Sequence, residues 1–322
     1  MNRIARRGMT LMMTLAVGMG IAPVGEGQAS TLAIHYESPN LSGIAGRTAT
    51  DGTGIPVDQT VCYAYGLGHD ALDETIDWQV EDFTGLAVAN RLQTQRGIDN
   101  GWYGSSSCQV SGTAMGFQVH KDSSSDSAPI GDIYGMQLAH RWDDFHIRPW
   151  STSQYGADPQ LRLQTNYHIE ASDRLGTDIV QYGQLFVSLA DTVHHKSIWY
   201  VIFLWDSRGV QPEVVMQDFG GTSNYNVVTH IADGARYATP HPHSRHTDGS
   251  GAGDWYGAYV SKQNLIDAVQ DINTAFPGAG FSTNPDDYAI NFIGSGTEMY
   301  APDGTTGWIG SQISDVMALT EY

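Results

Sequence analysis

The sequence predicts an all-β protein, a β-sandwich or jelly roll of two antiparallel sheets with one substantial helix near its C-terminal third. Three observations lead to this prediction. Apolar side chains recur with a period of two in many short segments, Gly-rich turns separate those segments, and only one segment has the apolar spacing of a long helix.

The most strongly patterned segment, residues 181–206, is predicted to form two long strands joined by a polar turn. In the second strand, Trp199 and alternate residues through Trp205 share one face, whereas Tyr200 and alternate residues through Asp206 share the other. Both faces are apolar until Asp206, which is typical of a central strand covered on both sides. The aromatic and β-branched content favours a strand over a buried helix.

The other predicted strands are short and bounded by turn residues: 78–80, 85–89, 110–120, 133–142, 161–171, 214–216, 225–231, 288–300 and 312–322. Residues 101–108 have the composition of a loop. The helix is predicted to begin after Ser261 as N-cap and to end before Pro277, with apolar residues such as Leu265 and Val269 at helical spacing.

The first 29 residues have the layout of a secretory signal peptide. Arg3, Arg6 and Arg7 precede the apolar run from Met9 to Val24, and Ala29 is a small residue at the cleavage position. A membrane anchor is the alternative, but the run is shorter than the ~20 residues that a membrane span needs. We therefore expect a secreted or periplasmic protein with no membrane contact after cleavage. Residues 30–322 are predicted to be one large sandwich domain, with a candidate internal boundary in the polar segment 121–130.

Charge and cysteine content narrow the partners and the compartment. The formal net charge is −19, which repels nucleic acid and anionic lipid, so neither is expected as a partner. Cys62 and Cys108 are the only cysteines, and in an exported protein they are predicted to form a disulfide that stabilises the fold by roughly 4 kcal/mol. A catalytic cysteine is the disfavoured alternative.

The strand pattern of residues 130–322 resembles that of the concanavalin A-like lectins and glucanases. This resemblance is one of architecture, and it transfers no catalytic residue to this chain. It implies a secreted sandwich in which a concave sheet holds a glycan, and therefore a polysaccharide partner.

The clearest alternation in the chain lies in the predicted strand at 161–171. Five polar side chains point to one of its faces: Arg162, Gln164, Asn166, His168 and Glu170. Such a face is suited to lining a sugar groove, where placed polar groups beside aromatic rings give specificity. The chain also supplies 8 Trp and 16 Tyr as platforms. A solvent-exposed sheet face is the alternative.

The favoured activity is endo-acting hydrolysis of a polysaccharide by carboxyl groups. This reaction needs two carboxyls, about 5.5 Å apart for retention or ~6.5–9.5 Å apart for inversion. Glu170 and Glu298 are the leading pair because both lie in predicted strands, and Asp206 at the end of the apolar strand is a third candidate. Each of them taken alone can equally be an ordinary surface or turn carboxylate.

Two alternatives remain open. A polysaccharide lyase needs a His or Tyr base and an Arg or Asn that neutralises a uronate. His140, Arg141 and Trp142 supply such residue types, together with His146, Arg148, Asn166 and His168. A glycan-binding, lectin-like module or a structural surface protein is the alternative outside the enzymes.

No cofactor is required by the favoured reaction. The loop at residues 239–254 nevertheless holds His241, His243 and His246, a spacing that can bind zinc. Its run from Asp248 to Asp254 matches a calcium loop only in part, and a flexible polar loop is the alternative. The chain has no G-x-S-x-G, H-E-x-x-H, P-loop or dinucleotide motif, which disfavours the common serine hydrolases, zincins and nucleotide enzymes.

Overall fold

A computed structural model describes the chain at residues 31–37, 79–82, 106–111, 114–121, 133–141, 145–176, 178–217, 224–245 and 254–322. Within these residues, two seven-stranded sheets pack face to face. The predicted fold class is therefore confirmed.

Sheet A is built around two strands of 16 residues each, β6 and β14. Its strands are β1 (Leu32–Glu37), β3 (Ser106–Ser111), β4 (Ala114–Lys121), β6 (Gln160–Leu175), β11 (Thr239–Pro240), β12 (Trp255–Ser261) and β14 (Thr306–Glu321). The order is β11-β12-β6-β14-β4-β3. Along the edge of β14 that faces away from β6, β4 pairs with its first half and β1 with its second half.

Sheet B contains the strongly patterned pair of strands near its centre. Its strands are β2 (Gln79–Asp82), β5 (Ile133–Arg141), β7 (Val180–Asp191), β8 (Lys196–Asp206), β9 (Val214–Gln217), β10 (Asn224–His230) and β13 (Tyr288–Tyr300). The order is β2-β5-β13-β7-β8-β10-β9. One described pair departs from the predicted antiparallel arrangement. The chain passes from β8 out to the edge strand β9 and returns as β10, which inserts beside β8 and runs parallel to it.

The predicted helix is α2 (Lys262–Ala275), and it begins where the sequence indicates. The Ser261 hydroxyl accepts a hydrogen bond from the Asn264 backbone N–H, and the Asn264 side chain accepts one from the Ser261 N–H. This reciprocal cap satisfies two N–H groups that the first helical turn leaves unpaired. Leu265, Val269 and Ile272 are buried on the inner side of α2. The short helix α1 (Thr152–Tyr155) and the 3₁₀ turn Pro285–Asp287 are the other helical segments of the described residues.

The core lies between the two sheets. On β7 the inward residues Leu185, Val187 and Leu189 are fully buried, and each such side chain contributes on the order of 1.5–3 kcal/mol to folding. A polar bridge also joins the sheets, because the Tyr167 hydroxyl of β6 lies 3.0 Å from the Thr297 hydroxyl of β13. The Tyr167 ring lies so close to Gly183 of β7 that a Cβ there would be 2.2 Å from the ring.

A β-bulge near the end of β8 changes which face Asp206 occupies. Asp206 pairs with Tyr182 and Trp205 with Gly183, but Gln184 then pairs with Phe203, so Leu204 is the extra residue. We call the face of each sheet that is turned away from the other sheet its outer face. The bulge places Asp206 on the outer face of sheet B beside Tyr182, and the predicted grouping of Asp206 with Tyr200, Ile202 and Leu204 is wrong.

Several predictions fall on residues outside the described ranges. The signal peptide at 1–29, the strand at 85–89, Cys62, Trp142 and His246 lie there, so the cleavage, the disulfide to Cys108 and the zinc loop stay predictions. The loop predicted at 101–108 is wrong in its last part, because β3 begins at Ser106 and pairs with β4. In the described part of the chain, no helix combines the length and the apolarity needed to span a bilayer.

Candidate functional site

A hydrogen-bonded carboxylate lies on the outer face of sheet B, near the end of β13. Glu298 of β13 accepts a 2.5 Å hydrogen bond from the Tyr182 hydroxyl at one oxygen and a 2.5 Å hydrogen bond from Gln184 Nε2 at the other. Tyr182 pairs directly with Glu298, and Gln184 is the next outward residue along β7. Strand register thus brings these three side chains together, and both carboxylate oxygens are oriented by donors.

Tyr182 keeps its proton at every physiological pH. Burial raises the pKa of its hydroxyl well above its ordinary value, and the adjacent Glu298 carboxylate raises it further. The phenol therefore acts as a hydrogen-bond donor to Glu298 and is a poor general base.

Asp206 and Arg208 form an ion pair in the same region. The Arg208 side chain reaches both carboxylate oxygens of Asp206, at 2.9 Å from Nε and 2.5 Å from the terminal nitrogen. The Asp206 side chain is fully buried, whereas that of Arg208 is 46% exposed. Because Arg208 donates to both oxygens, neither oxygen of Asp206 is arranged to give a proton to a ligand.

His230 lies near this ion pair, at the end of β10. Burial lowers its pKa, and the nearby Asp206 and Asp233 carboxylates partly oppose that effect. Its Nδ1 accepts a hydrogen bond from the Ala232 backbone N–H at 3.1 Å. The neutral ring must then carry its hydrogen on Nε2.

Glu298 and Asp206 occupy one register row across three strands. Glu298 pairs with Tyr182, and Tyr182 pairs with Asp206. Two strand spacings separate the backbones of the two acids by about 10 Å.

Aromatic rings continue this outer face beyond Glu298. The rings of Phe186 and Phe292 stack at 5.6 Å between centroids, and Trp199 contacts Phe292 at 5.1 Å. Between Phe292 and Glu298, the outward positions of β13 are the glycines Gly294 and Gly296. Their lack of side chains is a feature of strands that a ligand or another backbone approaches closely.

The five predicted polar residues of β6 lie on the outer face of sheet A. Arg162 donates to the Gln164 side chain at 3.0 and 2.6 Å. Asn166 donates to Asp315, and Glu170 accepts from Gln312. The ring of His168 pairs in register with Gln312 and is half-buried. The face predicted from alternation is therefore present.

The predicted pairing of Glu170 with Glu298 is wrong. Glu170 is on the outer face of sheet A and Glu298 is on the outer face of sheet B. The two sheets are stacked about 10 Å apart and the side chains point in opposite directions, so the two carboxyls cannot act on one bond. Alternation within a strand assigns each residue to one of its two faces. It does not tell which of the two sheets the strand joins.

The predicted His loop meets the polar face of sheet A. The His241 ring lies 4.9 Å from Trp255 and 5.3 Å from Tyr259, and His243 lies 5.4 Å from His241. In the described part of the chain, no three His, Cys, Asp or Glu side chains are grouped so as to hold a metal ion. The zinc prediction also needs His246, which lies outside that part.

The residues predicted to serve a lyase are described only in part, because Trp142 lies outside the described residues. In register, His140 pairs with Ile293 and Arg141 pairs with Phe292 of β13. Arg148 donates hydrogen bonds to the Asp286 carbonyl and to the Thr192 hydroxyl, so its guanidinium joins two loops.

Sequence reasoning did not identify Tyr182, Gln184, Arg208 and His230 as site residues. Alternation placed Tyr182 and Gln184 on one face, but the register of β7 against β13 was needed to bring them to Glu298. Arg208 follows Asp206 by two residues, and this short spacing is the signal in the sequence that would have suggested their ion pair.

Comparison with known proteins gives structural matches only. No protein-family profile matches the chain, and no curated protein matches it either. The solved structures that match include a native family 12 xyloglucanase from Bacillus licheniformis, at 12% identity and a TM-score of 0.34, covering 75% of this chain and 98% of that one. The xyloglucanase domain of a type three effector from Sinorhizobium fredii, in complex with cellobiose, matches at 9% identity and a TM-score of 0.30, covering 66% and 86%.

A cellulase derived from Rhodothermus marinus also matches, at 12% identity and a TM-score of 0.33, covering 66% of this chain and 84% of that one.

Proposed function

We propose that this protein is a carbohydrate-active enzyme that hydrolyses glycosidic bonds of a polysaccharide on the outer face of sheet B. The observation that carries the proposal is the Glu298 carboxylate, which the Tyr182 hydroxyl and Gln184 Nε2 hold at both oxygens. Two donors on one carboxylate fix its direction. Glycoside hydrolysis needs such a carboxylate at the anomeric carbon.

In this proposal Glu298 is the reacting carboxylate. It acts either as a nucleophile, forming a glycosyl–enzyme that water then hydrolyses, or as a base that activates a water molecule. In both cases the leaving sugar oxygen takes its proton from solvent, and the stereochemistry of the product distinguishes the two. Asp206 takes no direct part in the reaction in this proposal, because the Arg208 side chain occupies both of its oxygens.

The substrate that fits this face is a neutral polysaccharide. Glu298 contributes a negative charge to the site, and the negative charge of Asp206 balances the positive charge of Arg208. A polymer of uronic acids would meet repulsion from Glu298 and from a chain with a formal net charge of −19. Export to the periplasm or the medium, where such polymers occur, is supported by the predicted signal peptide.

A polysaccharide lyase is the second candidate, because Tyr182, His230 and Arg208 supply its residue types on this same face. Two observations disfavour it. Tyr182 has a pKa well above its ordinary value and cannot serve as the base at neutral pH. The guanidinium of Arg208 is engaged by Asp206 and is not aimed at a substrate carboxylate.

The test is an assay of the purified protein on soluble neutral glucans and xylans, alongside alginate and pectate. A hydrolase releases reducing ends from a neutral polymer without an ultraviolet-absorbing unsaturated product. Appearance of that product from alginate or pectate would instead establish a lyase. Retention on a polymer with no bond cleavage in any of them would leave the lectin-like alternative.

A further inference from the structure

A second cluster of aromatic and polar side chains lies on the opposite side of the molecule, on the outer face of sheet A. Trp255 and Tyr259 of β12 both point outward, and Gly257 lies between them. A Cβ at Gly257 would be 2.4 Å from Cη2 of Trp255, and the three nearest atoms all belong to that indole. The indole therefore lies flat across Gly257, and this position accepts only glycine while the ring stays there.

Side chains from two neighbouring segments hold the indole in place. The guanidinium carbon of Arg162 lies 5.6 Å from the centroid of the ring. The His241 ring stands almost perpendicular to the indole, at 83° and 4.9 Å between centroids. The ring is thus fixed before any ligand arrives, which lowers the entropy cost of binding.

Polar groups surround the indole and are already paired with one another. Arg162 donates to Gln164 and lies 3.8 Å from Glu321, which accepts a 3.0 Å hydrogen bond from the Tyr259 hydroxyl. The side chains of Arg162 and Glu321 remain 19% and 25% exposed. Their carboxylate and guanidinium groups therefore stay within reach of solvent and of a ligand that carries hydroxyl groups.

We propose that this cluster, Trp255, Tyr259, Arg162, Gln164, His241 and Glu321, is a saccharide-binding platform separate from the reaction site. A flat, immobilised indole suits the C–H face of a sugar ring, and the surrounding polar groups suit its hydroxyls. That the ligand is a segment of the same polysaccharide rests on the proposed function. Because the two outer faces point in opposite directions, a segment bound here is not the segment that Glu298 contacts.

The role of such a platform is to keep the enzyme on its polymer. A second attachment raises the effective concentration of the reaction site near the chain, without changing the chemical step. Loss of the platform should therefore weaken binding of long polymers and leave the hydrolysis of short oligosaccharides unchanged.

The experiment uses affinity electrophoresis in gels that contain a neutral glucan or a xylan, with the full-length protein carrying Glu298→Gln so that the polymer is not cut. Trp255→Ala is added to remove the indole, and Gly257→Ala is added to displace it by the new Cβ while leaving every polar group in place. Trp308→Ala is the control, since Trp308 is a partly exposed tryptophan of β14 paired with Asp173, far along sheet A from the cluster.

We expect Trp255→Ala and Gly257→Ala each to raise the dissociation constant for the retarding polymer about tenfold, the effect of losing one aromatic stacking contact. Trp308→Ala should bind like the parent protein. The platform proposal is overturned if both platform variants are retarded like the parent, or if the parent is not retarded by any polymer. Hydrolysis of short oligosaccharides, measured separately with Glu298 intact, reports on the reaction site and not on the platform.

Discussion

The two outer faces of this sandwich use polar side chains in different ways. On sheet B, Glu298 is oriented by Tyr182 and Gln184, and Asp206, two strands away, is buried and ion-paired. On sheet A, the polar groups around Trp255 pair with one another and stay partly exposed. A carboxylate held by two donors suits bond cleavage, whereas an immobilised ring with an exposed polar border suits reversible binding.

The two faces show that the pattern of a single strand can predict a polar surface. It cannot predict a site whose side chains come from several strands. The polar face of β6 in sheet A can be predicted from the alternation of polar and apolar residues in that strand alone. The sheet B site combines side chains from β7, β8, β10 and β13, and it exists only because of their register.

The largest expected effect separates the two glutamates. Glu298→Gln removes the ionised carboxylate and should lower the rate of hydrolysis by about 10²–10⁴-fold. Glu170→Gln is the matched control, because Glu170 lies on the outer face of sheet A, where it accepts a hydrogen bond from Gln312. Release of reducing ends from a neutral polymer measures both. A comparable loss in Glu170→Gln would show that the assignment of the faces is wrong.

A change of pH should act on the two sheets in different ranges. Burial, aided by the charge of His146, lowers the pKa of His35 on β1 to about 4. The unfolded chain binds this proton more readily, so the stability contributed by neutral His35 is complete above a pH of about 6.5 and is lost as the pH falls toward about 4, by at most roughly 3 kcal/mol.

Asp191 of sheet B behaves differently. Burial opposes its ionisation, but hydrogen bonds from Ser282 and His194 outweigh burial and lower its pKa. The stability that ionised Asp191 contributes is lost only as the pH falls below about 4. Urea unfolding at pH values of about 7 and 5 measures the loss of stability expected from His35, before Asp191 begins to contribute. His35→Gln should reduce the decrease in the free energy of unfolding between these two pH values. A substitution of the exposed His243 by Gln should not reduce it. An equal acid response in both variants would contradict the role of His35.

The contact beneath the reaction site predicts an intermediate effect on stability. Gly183→Ala would place a Cβ 2.2 Å from the buried Tyr167 ring, which is held by its hydrogen bond to Thr297. We expect a loss of about 1–3 kcal/mol in the free energy of unfolding. Gly278→Ala, at a position with no atom within 4 Å of the new Cβ, is the control and should change stability little. Denaturant unfolding compares the two, and equal values would mean that the ring has room to move.

The smallest effect compares two similar tyrosine–glutamate hydrogen bonds. Tyr182 donates to Glu298 at 2.5 Å on sheet B, and Tyr259 donates to Glu321 at 3.0 Å on sheet A. Tyr182→Phe should slow hydrolysis of a short oligosaccharide about tenfold, because one of the two donors that orient Glu298 is lost. Tyr259→Phe should leave that rate unchanged. If both variants hydrolyse the oligosaccharide at the same rate, the bond to Glu298 has no part in the reaction.

Patterns of a few neighbouring residues predicted most of the strands. The features that were not predicted depend on pairing between strands that are distant in the sequence. Ser261 as N-cap and the period-two runs of β6, β7 and β8 are properties of a few neighbouring residues, and these predictions are confirmed. The position of Asp206 depends on a bulge that only the pairing of β8 with β7 reveals. The parallel insertion of β10 is likewise a property of two strands together.

The candidate site was predicted in part for the same reason. Glu298 and Asp206 were recognised as candidate acids, and Arg162 and Gln164 as a binding face. The partner proposed for Glu298 was Glu170, because both lie in strands, but a strand pattern alone does not tell which sheet a strand joins. The donors Tyr182 and Gln184 become visible only when β7 is aligned with β13.

A crystal structure of the Glu298→Gln variant soaked with an oligosaccharide of a neutral polymer that the wild-type protein cleaves tests the central claim most directly. We predict that a glycosidic oxygen lies within hydrogen-bonding or van der Waals reach of residue 298 on the outer face of sheet B. An oligosaccharide bound on the outer face of sheet A alone, with sheet B unoccupied at saturating ligand, would contradict it.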